Sequence, residues 1–297
     1  MALSAEEISE LMSRVQTLEL KAKKLVRESF AGEYTSSFKG SGIDFDDYRA
    51  YQPGDEVRFI DWNVTARTNS PYTRTFVEER EMQVYLMVDV SGSTLYGSKD
   101  KSKRLLAAEI AATLAFSAVQ NNDKVGLILF ADKPIKYLPP TKGRAQVLRI
   151  LREILIADPS AGHTDMVEVC KFLNRISNKR AFVFCISDFQ DMSLEKSITS
   201  TAYRHDLIAL RLQDPMEADL PKVGKVALRD PETGIQAIVD TNNSTIRMSY
   251  RKLRARFTEG LNDFFKKHGV DYASFSTDKD FFPALHKLLK ARSSARS

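Results

Sequence analysis

Asp89, Ser91 and Ser93 occupy alternate positions of the stretch Asp89-Val90-Ser91-Gly92-Ser93, directly after the apolar run Val84 to Val88. Alternate spacing lets one carboxylate and two hydroxyls point the same way, and Gly92 permits a tight turn, so three hard oxygen donors can converge on one small cation. Magnesium or manganese suits such donors. Only one of the three carries charge, which leaves a bound ion electrophilic and partly water-ligated. Two further fragments offer ligands at equivalent places. Gly162-His163-Thr164-Asp165 precedes a helical pattern, and Ser187-Asp188 closes a second apolar run. The plainer readings are turn and capping chemistry for Asp89, Ser91 and Ser93, and a helix N-cap for Thr164 or Asp165. Capping and ligation are compatible. His163 reads as a rim residue, since magnesium prefers oxygen.

These fragments need a scaffold that brings loop tips together, and the periodicity supplies one. Val84 to Val88 and Ala181 to Ser187 read as strands covered on both faces. Lys124 to Ala131, Ile135 to Leu138, Asp206 to Leu212 and Val270 to Phe275 read as further strands. Helical spacing runs through Ser102 to Gln120, Gly143 to Ile156, Asp165 to Ile176, Leu194 to Tyr203, Ile246 to Lys267 and Phe281 to Leu289. The alternation predicts an α/β sandwich, whose sites form at the carboxyl ends of its strands. Lys225 to Leu228 and Ile235 to Val239 flank Asp230-Pro231-Glu232-Thr233-Gly234 and predict an inserted hairpin near 222–241. Ahead of this domain, Ser4 and Glu7 form a capping box for an N-terminal helix, and Phe30 to Glu81 reads as short strands broken by turns. The expected division is a subdomain over 1–81, a main domain over 82–290, and a flexible basic tail over 291–297.

The chain has 297 residues, 43% of them hydrophobic, with 44 Lys and Arg against 39 Asp and Glu. Charges spread along the chain argue against a protein whose whole surface traps phosphate. The longest mainly apolar stretch, Leu105 to Val119, is interrupted by Glu109 and Thr113 and falls short of a bilayer span. Acids at Glu6 and Glu7 stand where a secretory leader has its basic region, so a cytoplasmic location is expected. Cys170 and Cys185 are too few for a disulfide framework, and Cys185 reads as a core residue. Arg49, Arg58, Arg67, Arg74 and Arg80 among Asp46, Asp47, Asp55, Asp61, Glu78 and Glu79 read as ion pairs. Trp62 reads as a packing anchor.

The order aspartate, serine, serine, threonine, aspartate resembles the metal-ion-dependent adhesion site of von Willebrand factor A domains. That resemblance implies a three-layer α/β/α, Rossmann-like fold with a mainly parallel sheet. It implies a Mg2+ or Mn2+ cofactor with Asp89, Ser91, Ser93 and Thr164 as ligands and Asp188 acting through a water. His163 and Phe189 depart from the pattern, standing where glycines are common. The run Phe45-Asp46-Asp47-Tyr48-Arg49-Ala50-Tyr51-Gln52-Pro53-Gly54-Asp55-Glu56-Val57-Arg58-Phe59-Ile60-Asp61-Trp62-Asn63, followed by Ala66-Arg67-Thr68 and Glu78-Glu79-Arg80, resembles the signature of the domain-of-unknown-function 58 family. Members join this segment to a von Willebrand A-like domain and are often encoded beside MoxR-type AAA+ ATPases. The resemblance implies a non-enzymatic adaptor or co-chaperone that binds a partner's acidic residue, possible partners including such an ATPase. The alternative is a metal-dependent hydrolase or phosphotransferase using Asp89, which ordinarily needs a second carboxylate or a poised base where this chain has Ser91. A third reading is a scaffold whose metal site has decayed.

Overall fold

The computed structural model describes residues 5–26, 34, 43–68, 70–78, 82–99, 101–158, 164–190, 195–229 and 235–296. They divide into two compact units, Phe38–Met82 and the remainder.

In the smaller unit, β1 (Ile43–Ala50) pairs antiparallel with β2 (Tyr72–Glu78), and its one α-helix among the described residues is the short Trp62–Thr68. Asp61 organises this unit. Its Oδ1 accepts the backbone N–H groups of Asn63 and Val64, capping the helix, while Oδ2 takes two donors from Arg74, at 2.9 and 2.6 Å. Arg74 and those N–H groups hold the Asp61 carboxyl below its ordinary range. Arg49 pairs with Asp55, and Arg58 with Glu56, as the ion-pair reading requires. Trp62 opens the helix and is exposed. Arg80 and Glu79 lie outside the described residues, as does the Ser4 cap.

The larger unit is the expected α/β sandwich. Its sheet has the order β10-β7-β6-β3-β4-β5. β3 (Gln83–Asp89), β4 (Lys124–Phe130), β6 (Phe182–Ser187), β7 (Asp206–Gln213) and β10 (Asp271–Ser276) are parallel, and β5 (Pro134–Thr141) runs antiparallel on the edge. The inner strands are apolar on both faces because helices cover both. β5 carries Pro134, Pro139 and Pro140, which an edge tolerates. Its backbone comes so close to β4 that a Cβ at Gly126 would sit 2.9 Å from the Leu138 carbonyl, hence a glycine inside a strand.

On one face, Tyr85, Met87, Val183 and Cys185 meet Val169 and Leu173 of Met166–Ile176, Ile198 of Glu195–Arg204, and Leu261 and Phe265 of Ser244–Lys267. On the other lies Lys103–Gln120, buried nearly all round and rich in alanine, which lets helix and sheet approach closely. Numbering the helices in chain order, α1 is Ala5–Leu25, α2 Trp62–Thr68, α3 Lys103–Gln120, α4 Arg144–Ile156, α5 Met166–Ile176, α6 Glu195–Arg204, α7 Pro215–Ala218, α8 Ser244–Lys267 and α9 Phe282–Arg296.

Two expectations about boundaries are corrected. α1 belongs to the larger unit and not to a subdomain over 1–81: Val15, Leu18 and Ala22 are buried and the helix packs on α3 and α4, where Arg144 clasps the Glu19 carboxylate. The flexible tail over 291–297 is also overturned, because α9 continues to Arg296. Arg292 is buried and pairs with Asp206, at 2.7 Å, and with Asp271, so the two strand starts hold the helix end in place. The inserted hairpin is present as β8 (Lys225–Arg229) paired antiparallel with β9 (Gln236–Asp240).

Candidate metal centre

β3 sits between β4 and β6, so its carboxyl end opens beside theirs. Asp89, its last residue, is fully buried. The backbone then turns back on itself: Ser91 N–H donates to Asp89 Oδ1 at 2.9 Å, and the 3-10 turn Gly92–Leu95 is tied by Thr94 Oγ1 donating to the Ser91 carbonyl at 2.7 Å. The turn places Ser91 Oγ 3.1 Å from Ser93 Oγ, both buried. Two outside groups fix its position. Val90 N–H bonds the Phe130 carbonyl of β4 at 2.8 Å, and Arg104 from α3 donates to the Val90 carbonyl at 2.8 Å and to Thr94 Oγ1 at 3.2 Å.

The second edge comes from the segment before α5. Asp165 N–H bonds the Ala131 carbonyl, and its side chain caps the helix through Val167 and Glu168 N–H groups. That leaves Thr164 leaning inward, its Oγ1 donating to Asp89 Oδ2 at 3.4 Å. Capping and site-building are thus divided between neighbours: Asp165 caps and Thr164 faces the carboxylate. His163 lies outside the described residues.

The third edge is the end of β6. Ser187 Oγ donates to Asp89 Oδ2 at 2.6 Å, a shorter contact than that of any of the expected ligands. Asp188 follows, buried, with Oδ1 accepting Gln190 N–H at 3.3 Å and Oδ2 accepting Lys103 Nζ at 2.7 Å. Lys103 is wholly buried and also reaches Glu217 Oε1 at 2.7 Å. Burial pulls its ammonium toward neutrality, but Asp188 and Glu217 more than reverse this and hold its pKa above the ordinary value. For Asp89 burial dominates, the neighbouring Asp188 charge adds to it, and hydrogen bonds from Ser187 and Ser91 oppose; the carboxyl is pushed up to about 6.

Phe189, the residue that departs from the glycine pattern, has a φ of 52°, the left-handed region that glycine enters freely and phenylalanine does not. Packing compensates: the ring is 2% exposed and meets Phe265 edge-on at 5.2 Å. A fourth loop closes the rim. Asp214, after β7, caps α7 in a capping box with Glu217, and its Oδ2 accepts Ser98 N–H at 2.9 Å and Thr277 Oγ1 at 2.7 Å. One carboxylate therefore fastens the loops that follow β3, β7 and β10. Around the site Leu95, Tyr96 and Met216 are exposed apolar side chains.

The structure gathers Asp89, Ser91, Ser93 and Thr164 into one buried group and sets Asp188 beside it, bound to Lys103. Among the described residues no group of three or more His, Cys, Asp and Glu side chains is arranged as a metal site. The donor set here is of a different kind, a carboxylate surrounded by hydroxyls, and such hard neutral oxygens fit Mg2+ or Mn2+. Sequence reasoning missed Lys103, Asp214 and Glu217; it placed Ser187 in the Ser187-Asp188 fragment without making it a ligand. For Lys103, at the first turn of a helix after the Ser102 cap, spacing offers no signal.

A family model described as "Protein of unknown function DUF58" matches residues 47–259. The chain is 28% identical over 285 residues to the uncharacterized protein Rv1480 of Mycobacterium tuberculosis, covering 95% of this chain and 90% of the relative. The uncharacterized protein Mb1516 of Mycobacterium bovis matches to the same extent. Among solved structures, the conserved hypothetical protein BatB from Bacteroides thetaiotaomicron aligns over 72% of this chain and 99% of its own at 19% identity, with a TM-score of 0.47. The SpRpn10 VWA domain aligns over 72% and 95% at 11% identity, with a TM-score of 0.37.

Proposed function

Because the chain belongs to the DUF58 family and its central strand ends in a buried set of oxygen donors, we propose that it is a non-enzymatic, divalent-metal-dependent protein-binding module. Asp89 is the charged ligand, Ser91, Ser93 and Thr164 supply hydroxyls, and Asp188 stands alongside. A cation bound there supplies an open coordination position that a glutamate or aspartate of a partner completes. The observation that carries this reading is the charge count. Asp188 is matched by Lys103 at 2.7 Å, leaving Asp89 as the one acid of the group without a cationic partner at hydrogen-bonding distance among the described residues. A divalent cation bound there meets one uncompensated protein charge, and a partner's carboxylate balances the other.

Among the described residues Ser91 Oγ meets Ser93 Oγ and no base, which supports binding over hydrolysis. Leu95, Tyr96 and Met216 provide apolar area next to the loop for a protein surface to cover. The family resemblance points to a MoxR-like AAA+ ATPase as the partner and to an adaptor or co-chaperone role. Among the described residues no helix is long and apolar enough to cross a membrane.

Isothermal titration of the chain with Mg2+ and Mn2+, and capture of a purified MoxR-like ATPase with metal, with chelator and with Asp89→Ala, tests this. Binding that requires the metal and Asp89 is expected. Equal capture under all three conditions overturns it.

A further inference from the structure

The long helix α8 is half unsupported. At about 1.5 Å per residue its 24 residues extend about 36 Å, whereas the six-residue strand β10 beside it spans about 20 Å. α8 leads into the amino end of β10 through His268, Gly269 and Val270, so its carboxyl half lies along the sheet, with Leu261 and Phe265 buried. Its amino half therefore overshoots at the carboxyl edge of the sheet, the edge that carries Asp89. The β8–β9 hairpin, inserted after β7 at the same edge, also lies largely exposed.

This arm holds the chain's excess charge. Of the 44 Lys and Arg and 39 Asp and Glu, eight and three fall in residues 222–256, so the rest of the chain holds 36 of each. On α8, Arg247, Tyr250 and Arg254 form the inner side. Tyr250 Oη donates to the Glu217 carbonyl at 3.1 Å, and Arg254 reaches Gln190 at 3.4 Å, joining the helix to the loops around Lys103 and Asp188. The outer side, Ser249, Lys252, Leu253 and Arg256, recurs at three- and four-residue spacing and is exposed. Leu253 is 64% exposed and Ile238 on the hairpin 78%.

We infer that the hairpin and the amino half of α8 form a docking arm for an acidic, amphipathic segment of a partner protein, whose carboxylates meet Lys252 and Arg256 and whose apolar side chains cover Ile238 and Leu253. Charge complementarity selects an acidic occupant. Outside residues 222–256 a second copy of this chain carries Lys and Arg equal in number to Asp and Glu, and so no net acid. The exposed side chains between the cations are aliphatic, which suits an apolar protein face and offers no ring on which a nucleic-acid base stacks. Tyr250 ties the arm to Glu217, which binds Lys103 beside Asp188, so a partner seated there lies near the proposed metal site. This inference rests on the protein-binding reading above but not on its metal.

The probe is a fluorescein-labelled synthetic helix with a glutamate face and a leucine face, titrated against the full chain by anisotropy, beside vesicles containing phosphatidylserine and a duplex DNA. Micromolar peptide binding is expected, weakened at least tenfold by Lys252→Glu with Arg256→Glu and by Ile238→Ser with Leu253→Ser, in variants whose melting temperatures match the parent. Peptide affinity unchanged in both double variants overturns the arm. So does tighter binding to vesicles or DNA than to peptide with the same loss in the variants. Chelator and Asp89→Ala separate the two readings: if they leave peptide binding intact while Lys252→Glu with Arg256→Glu removes it, the arm stands and the metal reading receives no support from this partner.

Discussion

Lys103 Nζ lies 2.7 Å from Asp188 Oδ2 with both side chains buried, one from the first turn of α3 and the other from the end of β6. The pair places a permanent cation beside the cluster of oxygen donors. Burying either charge alone is costly, and the second contact to Glu217 completes the lysine's surroundings.

Lys103→Met is expected to lower unfolding free energy by about 3–5 kcal/mol, since Asp188 is then buried without its cation. It also makes the Asp89 site more negative, so affinity for Mg2+ should rise several-fold even as stability falls. Urea unfolding and magnesium calorimetry on the same sample read the two effects, and a loss of both together contradicts this account.

Phe189→Gly separates strain from packing. Glycine relieves the left-handed backbone by about 1–2 kcal/mol, but removing a buried aromatic ring that packs on Phe265 costs about 3–5 kcal/mol. Packing wins, and a net loss of about 1–4 kcal/mol in chemical denaturation is expected. A variant more stable than the parent would mean that the backbone dominates.

Acidification acts through His205. Its Nδ1 accepts Ala181 N–H, its Nε2 has no partner among the described residues, and burial, aided by Arg204 and Arg180, pulls its pKa from 6.5 to about 4. Between those values the unfolded chain binds the proton and the folded chain does not. The stability is fully present above about 6.5 and is lost as pH falls toward 4, by at most about 3 kcal/mol. His205→Gln, which keeps an acceptor for Ala181, should flatten that stretch of the stability-against-pH curve. An unchanged slope would remove His205 as its source.

Truncation after Lys290 tests the carboxyl terminus. Were 291–297 a loose tail, its removal would be neutral. Arg292 is buried between Asp206 and Asp271, so deletion is expected to cost about 3 kcal/mol. Arg292→Met in the full chain should reproduce most of the loss, measured as a lowered melting temperature.

The sandwich was legible because strands buried on both faces are continuous apolar runs, and Val84 to Val88 and Ala181 to Ser187 are such runs. The Asp89-Val90-Ser91-Gly92-Ser93 loop and a helix cap at Thr164 or Asp165 were legible for a similar reason: each depends on groups within a few residues. Boundaries that depend on a distant partner were not. α1 reads as a helix from its own spacing, but Arg144 and α3 decide which unit it joins, and nothing local in Ala291 to Ser297 announces that Arg292 meets two aspartates from different strands.

By itself the sequence determined the α/β order, the inserted hairpin and the oxygen donors carried on one loop. Tertiary structure decided which acids keep their charge uncompensated: Asp188 is held by Lys103, eighty-five positions away in the chain, while among the described residues Asp89 receives only hydroxyl and amide donors. The reason is that spacing along a chain governs contacts only within a turn of helix or strand, whereas the charge felt at a buried site is the sum over every element that folds against it.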